Sequence, residues 1–418
     1  MSDLEHQLRA YAKELDASAP PVEDLVPEIA ESDDDATVVP LSRRTPTWTV
    51  ILGAAAVVIV AIGSVAILAS MRESTVQVAT TPSSSEPDPN TPVASVTTTP
   101  PPPIEQSRYA KLVSEVPLYS GGEGGDVGTL PLVGTGQVVL SDDVSHMLFA
   151  AGGEDDVWEN VFHATSTNGS AWAVDPAPVT LSGVEGAADL DIGSVDVLAD
   201  GTWVMYYGIA FDVGGHGNHI YEHAIRRATA TSPTGPWTTD PEPMLLPGDE
   251  GTWDAAAVKS PSVIRQGDAW LMFYAGHGYE PKDGEAPPPG MVGASALGLA
   301  TSQDGITWIK RSEPVFVGRS DLPWEGGAVA RTSVVWDGDR YLVVYAGRTG
   351  GSRGLATSAD GVEWQRVSEQ PILTAVDLPR PTILSASLYV DGDGAGLYVS
   401  NGGYRTTSAV YDVALDVP

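Results

Sequence analysis

The chain contains no cysteine among its 418 residues, which excludes disulfides, thiolate nucleophiles and cysteine-ligated zinc. Cations are scarce too: 22 Lys and Arg stand against 55 Asp and Glu, for a formal net charge of −33. A surface of that sign repels nucleic acid backbones and anionic lipid headgroups, so no nucleic acid partner is expected. A third absence is local. Between Arg44 and Arg72 no residue is charged, and Trp48 to Ala69 is almost wholly Ala, Val, Ile, Leu and Gly. At 1.5 Å per residue such a run crosses a hydrocarbon core of about 30 Å, so residues 47–71 read as one transmembrane helix. The long preceding segment, and the poor small-x-small pattern at Leu68 and Ser70, argue for an uncleaved anchor rather than a signal peptide.

Arg43 and Arg44 precede this helix and only Arg72 follows it closely, which favours a cytoplasmic N-terminus, a single pass through the cell membrane and an extracytoplasmic remainder. Residues 1–46 are acidic and interrupted by proline, and read as mostly disordered apart from a short helix starting at Ser2. They are either a docking peptide for a cytoplasmic protein partner or a solvated tail. Residues 72–107, with TPSSSEPDPNTP and TTTPPPP, have the composition of an extended stalk. Residues 108–418 are left as the folded domain.

What that domain has in quantity is a repeat. The stretch from Trp253 to Phe316 holds apolar runs at Ser262 to Ile264 and Trp270 to Ala275, then LGLATS and ITWIKR joined by Asp304-Gly305, a dipeptide suited to a tight turn. This is a four-stranded antiparallel meander. Its closing hairpin SQDGITW returns as SADGVEW, STNGSAW and SPTGPW, with tryptophans at 172, 237, 308 and 364. Its second strand returns as HMLFAAG, TWVMYYG and RYLVVYAG, and a partial fifth copy fills Pro381 to Gly403. Repeats of this size predict an all-β, five-bladed β-propeller, with Tyr109 to Leu118 available to close the ring; a β-sandwich or stacked solenoid is the rival architecture.

The run WDAAAVKSPSVI, GDAWLMFYAG, LGLATSQDGITW resembles the blade signature of the five-bladed glycoside hydrolases of families 43, 32, 62 and 68, and of related bacterial propeller proteins. The resemblance implies a propeller that binds or hydrolyses carbohydrate or polysaccharide; with the uncharged run as its anchor the protein is expected to be membrane-bound, and no cofactor is expected. A non-catalytic surface module that binds glycan or protein is the alternative. The resemblance also implies a catalytic Asp-Pro at the start of an inner strand, with a second Asp and a Glu on following blades. This chain departs there, showing Ser260-Pro261, Arg331-Thr332 and Arg380-Pro381.

Inner strands of a propeller start at one mouth of the central channel, so equivalent positions from several blades converge. Aligning the repeats on Ser194-Val195, Ser262-Val263 and Ser333-Val334 brings Asp191, Lys259 and Arg331 to that mouth, with Arg380 nearby. Asp254 and Glu325 lie eight residues upstream of Ser262 and Ser333, each after a tryptophan. Glycoside hydrolysis needs two carboxyl groups flanking the scissile bond, so the candidate catalytic residues are Asp191, Asp254 and Glu325. For Asp254 and Glu325 the repeated placement equally fits a structural role in the blade. Lys259, Arg331, Arg380 and His277 are candidate ligand-binding residues, the cations serving either an anionic sugar or the nearby carboxylates. His216, His219, Glu222 and His223 offer metal-ligating chemistry, but their spacing fits no helical metal motif, and no metal is expected.

Overall fold

The computed structural model describes residues 109–418, apart from 116, 123, 154–157, 213–220, 279–294, 393 and 403–406. The expected tail (1–46), transmembrane helix (47–71) and stalk (72–107) lie outside the described residues. Among those described, no helix is long and apolar enough to cross a membrane.

The closing hairpin shows why the repeat folds as it does. Ser302 Oγ accepts the amide of Gly305 at 2.9 Å, and Asp304 Oδ1 accepts those of Ile306 and Thr307 at 2.8 and 2.7 Å. These backbone donors hold the Asp304 carboxyl low, at about 2. Ser358 and Asp360 repeat the arrangement, and Ser166 with Asn168 does so using an amide oxygen. The glycine in each takes a positive φ, 69° at Gly305 and 75° at Gly361, where a side chain would strain the turn. Each tip also reaches a neighbouring blade: Tyr206 donates to the Gly305 carbonyl at 2.7 Å and Tyr398 to that of Gly169 at 3.2 Å. The motif therefore both turns the chain and docks one blade on the next.

Five antiparallel blades result. Blade 1 comprises Val138–Ser141, Val144–Gly152, Trp158–Ser166 and Ala173–Val174, and blade 2 comprises Ala187–Val197, Trp203–Asp212, Tyr221–Ala230 and Trp237–Thr239. Blade 3 is Ala257–Gln266, Ala269–His277, Ser295–Ser302 and Ile309–Lys310; blade 4 is Ala330–Trp336, Tyr341–Ala346, Ser352–Ser358 and Gln365–Arg366. Thr382–Asp391, Gly394–Gly402 and Ser408–Leu415 make three strands of blade 5, and its outer strand is Ala110–Leu112, paired Ala110↔Leu415 through Leu112↔Val413. The architecture is thus the expected five-bladed propeller, not a sandwich or solenoid. Blade 5 has no Ser-x-Asp-Gly hairpin for a topological reason: that hairpin joins third strand to outer strand, and here the outer strand comes from the other end of the domain.

Second strands are sandwiched between blades, so both faces are buried and their sequences do not alternate. Leu271, Met272, Phe273, Tyr274 and Ala275 are all fully enclosed. Odd and even members pack into different interfaces, Phe273 with Val334 and Tyr341 on one side, Met272 with Tyr206 and Ile225 on the other.

The serines that align the repeats form a girdle around the axis. Ser194 Oγ accepts from the Val263 amide of the next blade at 2.6 Å, Ser262 from Val334 at 3.0 Å and Ser333 from Leu388 at 3.0 Å. Ser387 donates to Thr135 at 2.9 Å, and Gln137 accepts from Ser194 while donating across to the Val334 carbonyl at 2.9 Å. Side chains thus bridge the axis at this level, and the strand starts ring it on one side as a mouth, or cup, closed below by the girdle.

Candidate functional site

The cup is shaped by a recurring irregularity. In blades 2 to 5 the pairing of inner with second strand slips just before the serine girdle, between Lys259 and Ser262 in blade 3 and between Ala330 and Ser333 in blade 4. Such bulges re-aim side chains. The bulged residues Ser260 and Arg331 have φ values of 51° and 48°, a conformation costing an ordinary side chain about 1–3 kcal/mol. Two consecutive blades retain this strain at the same point of the mouth.

Ser260 donates to Asp191 Oδ2 at 2.7 Å, and Lys259 Nζ lies 3.3 Å from Asp189 Oδ2. Burial raises the Asp191 carboxyl above its ordinary value, and the Asp189 charge adds to this; the Ser260 hydrogen bond and Lys259 oppose it. The net environment of Asp191 therefore favours its neutral form more than water does. Opposite it in the sheet is Gly208, where a Cβ would stand 3.4 Å from that of Asp191 and 3.6 Å from Lys259 Cα. Gly193 is closer still to its neighbour: a Cβ there would sit 1.9 Å from the Pro261 carbonyl oxygen. Blades 2 and 3 approach this tightly because neither glycine has a side chain.

Two imidazoles join this group. His223 ends the row that runs through Ala210 to Asp189, and His277 pairs with Ala257, two residues before Lys259. His277 Nδ1 meets Ser295 Oγ at 2.9 Å. Burial lowers both to about 4; Lys259 and then His277 depress His223 further, while Lys259 and then Arg331 depress His277. Both are neutral at pH 7 and able to hydrogen-bond a polar ligand without adding charge. His216 and His219 lie outside the described residues, and among the described ones no three His, Asp or Glu side chains cluster closely enough to hold a metal ion.

The sequence candidates separate into two sets. Asp191, Lys259, His277 and Arg331 fall together at the mouth, with Asp189, Ser260 and His223 beside them. Asp254, Glu325 and Arg380 are engaged inside their own blades. Asp254, 3% exposed, accepts from Tyr274 at 3.1 Å and pairs with Lys310 at 2.6 Å. Glu325, 0% exposed, accepts from Tyr345 at 2.8 Å, from Arg366 Nε and Nη2 at 2.7 and 2.9 Å, and from the Arg319 amide at 2.6 Å. Trp253 and Trp324 stack beside the same tyrosines, at 5.7 and 5.5 Å between ring centroids. In each blade acid, tyrosine, cation and tryptophan make one unit joining second strand to outer strand. Arg380 donates to the carbonyl and hydroxyl of Thr407, and Asn401 clasps the Arg380 backbone on both sides. A hollow of about 290 Å³ elsewhere, between Val113, Leu118, Ser170 and Asp412, sits at the ring closure and has no convergent ionisable groups.

Reading the sequence alone missed Asp189, brought Ser260 to the mouth beside Lys259 without giving it a role, and weighed His223 only for metal or as loop decoration. The signal for Asp189 was available in strand period, since it is two residues from Asp191 and so shares its face, whereas His223 is placed by pairing across two strands.

No family model matches this chain. Over 107 residues, 25% of the chain, it is 30% identical to the beta-1,2-mannobiose phosphorylase of Thermoanaerobacter sp. (strain X514); the match spans about a third of that relative's length, 35%. Solved structures agree in fold. The family 117 glycoside hydrolase of the marine bacterium Zobellia galactanivorans superposes with a TM-score of 0.50 at 16% identity, over 75% of this chain and 90% of that one. A family 32 beta-fructofuranosidase of Bombyx mori gives 0.51 at 13% identity, over 71% and 61%. Another glycoside hydrolase gives 0.54 at 15%, over 75% and 92%. The chain shares the five-bladed propeller of these hydrolases.

Proposed function

We propose that this protein is a single-pass membrane protein whose extracytoplasmic propeller binds carbohydrate at the mouth built by Asp189, Asp191, His223, Lys259, Ser260, His277 and Arg331. The carrying observation is the convergence of these polar groups on strained backbone at Ser260 and Arg331, directly above a girdle that blocks the axis. A sugar presents dense hydroxyls, and a cup with donors, acceptors and neutral imidazoles suits them. The fold likeness to glycoside hydrolases and the partial likeness to a mannobiose phosphorylase support a carbohydrate ligand. The uncharged run between Arg44 and Arg72 supports the anchor, and the Thr/Ser/Pro tract after it supports an outward orientation.

Hydrolysis by an opposed carboxyl pair has weaker support. Among the described residues, Asp189 and Asp191 rise side by side from one strand and Asp189 is held by Lys259, so they do not face each other across a scissile bond. Asp191 remains the group able to donate a proton to a leaving oxygen. The non-catalytic reading is therefore kept beside the enzymatic one: a surface propeller that holds glycan without cleaving it.

A glycan array with the purified chain, followed by a turnover assay on the bound glycans, tests this. Binding to at least one glycan class is expected, with Asp191→Asn retaining binding and losing any turnover. A clean array removes the carbohydrate reading, and equal turnover by Asp191→Asn removes Asp191 from the chemistry.

A further inference from the structure

One register position on the third strands distinguishes blade 4. In blades 2, 3 and 5 it holds Ile225 opposite Gly208, Leu297 opposite Ala275 and Val410 opposite Ser400, all fully buried. Blade 4 has Arg353 there, opposite Ala346, and it is equally buried at 0% exposure. An aliphatic group at that position needs no partner, whereas a guanidinium carries five N–H donors and a charge. Nη1 donates to the carbonyls of Gly350 at 2.7 Å and Ser352 at 3.1 Å. Nε and Nη2, which together form one edge of the fork, have no partner among the described residues. Burial and the nearby Arg331 lower its pKa to about 9, so it is still charged at neutral pH.

The same blade shows what such an edge holds. Arg366 places Nε and Nη2 at 2.7 and 2.9 Å from the two oxygens of Glu325. Arg353 presents the identical edge, and no protein carboxylate pairs with it among the described residues. Water would satisfy the N–H groups but not the charge, which in a buried setting calls for an anion. Arg331 leaves the inner strand beside Ala330, the residue paired with Ala346, at the inner end of the row that carries Arg353. Its Nη1 is fixed on the Leu384 carbonyl at 2.5 Å and the rest of its side chain is exposed. Two guanidinium groups thus repel each other at one corner of the mouth, and among the described residues no carboxylate is paired with either. Gly350 and Gly351, in the turn whose Gly350 carbonyl Arg353 holds, face open space: a Cβ at either would meet nothing within 4 Å.

We propose that Arg331 and Arg353 form an oxyanion subsite that takes the carboxylate, sulfate or phosphate group of an acidic glycan. The inference rests on the carbohydrate reading above for the source of the anion, not for the subsite itself. Bidentate capture on the Nε/Nη2 edge of Arg353 with support from Arg331 gives a preference for charged over neutral sugar of at least about tenfold, decreasing with salt.

Calorimetric titration of the purified full-length chain in detergent tests it. The probes are oligosaccharides bearing carboxylate, sulfate or phosphodiester groups, their neutral counterparts, and inorganic phosphate; the variants are Arg331→Gln and Arg353→Met. The expected result is tighter binding of one acidic probe than of its neutral counterpart, with each variant abolishing the preference and Arg353→Met, whose residue is not among those that build the mouth, leaving neutral binding in place. Arg353→Met is further expected to keep or raise the melting temperature, because an unpaired buried charge is replaced by an apolar side chain. If phosphate binds with the same arginine dependence and no glycan binds, the subsite stands and the carbohydrate reading fails. If acidic and neutral sugars bind alike, or if Arg331→Gln keeps the preference, the subsite is overturned and the carbohydrate reading stands. Should Arg353→Met not fold, the exposed Arg331 carries the decision alone, and failure of every charged probe to bind also overturns the subsite.

Discussion

Glu325 is the candidate on which catalytic and structural readings diverge most sharply, and replacing it by alanine separates them. Its carboxylate is fully enclosed and accepts four hydrogen bonds, two of them from Arg366, whose side chain is only 16% exposed. Removing the acid leaves that guanidinium buried over the Phe316 ring, 4.4 Å away, with no anion beside it. Breaking a buried pair from one side costs about 3–5 kcal/mol. At about 2 °C per kcal/mol for a domain of this size, Glu325→Ala should melt about 6–10 °C below the parent. The double variant Glu325→Leu with Arg366→Met removes both charges and should recover most of that loss, since apolar replacement of a buried pair is often neutral or better. Calorimetry on Glu325→Leu, Arg366→Met and their double variant gives the coupling directly, and glycan binding is measured alongside on whatever remains folded. A melting shift below about 2 °C would refute the structural account. So would a Glu325→Ala protein of parental stability that has lost ligand turnover, which would return Glu325 to the chemistry.

The neutral imidazoles make stability depend on pH. His223 and His277 titrate at about 4 in the fold against the ordinary 6.5, so between those values the unfolded chain binds protons that the folded one does not. Stability should therefore rise with pH through that window and be lost as pH falls from 6.5 towards 4, by up to about 3 kcal/mol for each group. Asp191, whose raised carboxyl favours the protonated fold, contributes the opposite slope. Urea midpoints at pH 7 and pH 5 for the parent and for His223→Gln with His277→Gln are the check; an unchanged difference in the double variant would contradict the assignment. Gly193→Ala should cost roughly 1–3 kcal/mol by overpacking, since its Cβ would meet the Pro261 backbone at 1.9 Å. It should also part Ser260 from Asp191, lowering glycan affinity at the same time; a stable variant with parental affinity would show that the blades tolerate separation there.

The propeller was legible because its signals repeat with their partners. Ser-x-Asp-Gly hairpins, apolar second strands and the Ser-Val pairs recur together, and each proves to join one blade to the next through Gly305, Phe273 or Ser262. The same repetition misdirects the search for a site. Trp-Asp at 253–254 and Trp-Glu at 324–325 recur at one offset, which in sequence looks like two acids brought to one place. Their companions recur as well: Tyr274 with Tyr345, Lys310 with Arg366, and Gly298 with Gly354, where a Cβ would strike the tyrosine ring at 2.5 Å in both blades. An acid that repeats together with its own cation, tyrosine and glycine is part of the blade. The proposed function places the chemistry where equivalent positions disagree: Asp191, Lys259 and Ala330 face Gly208, Ala275 and Ala346 at one register, and Ile225, Leu297 and Arg353 occupy the next strand outward. A shared core position imposes the same side-chain chemistry on every blade, so a carboxylate, an ammonium and a guanidinium distributed unequally over it answer to something the blades do not share. In a ring of like units the proposed ligand is such a thing, since it meets each blade from a different side.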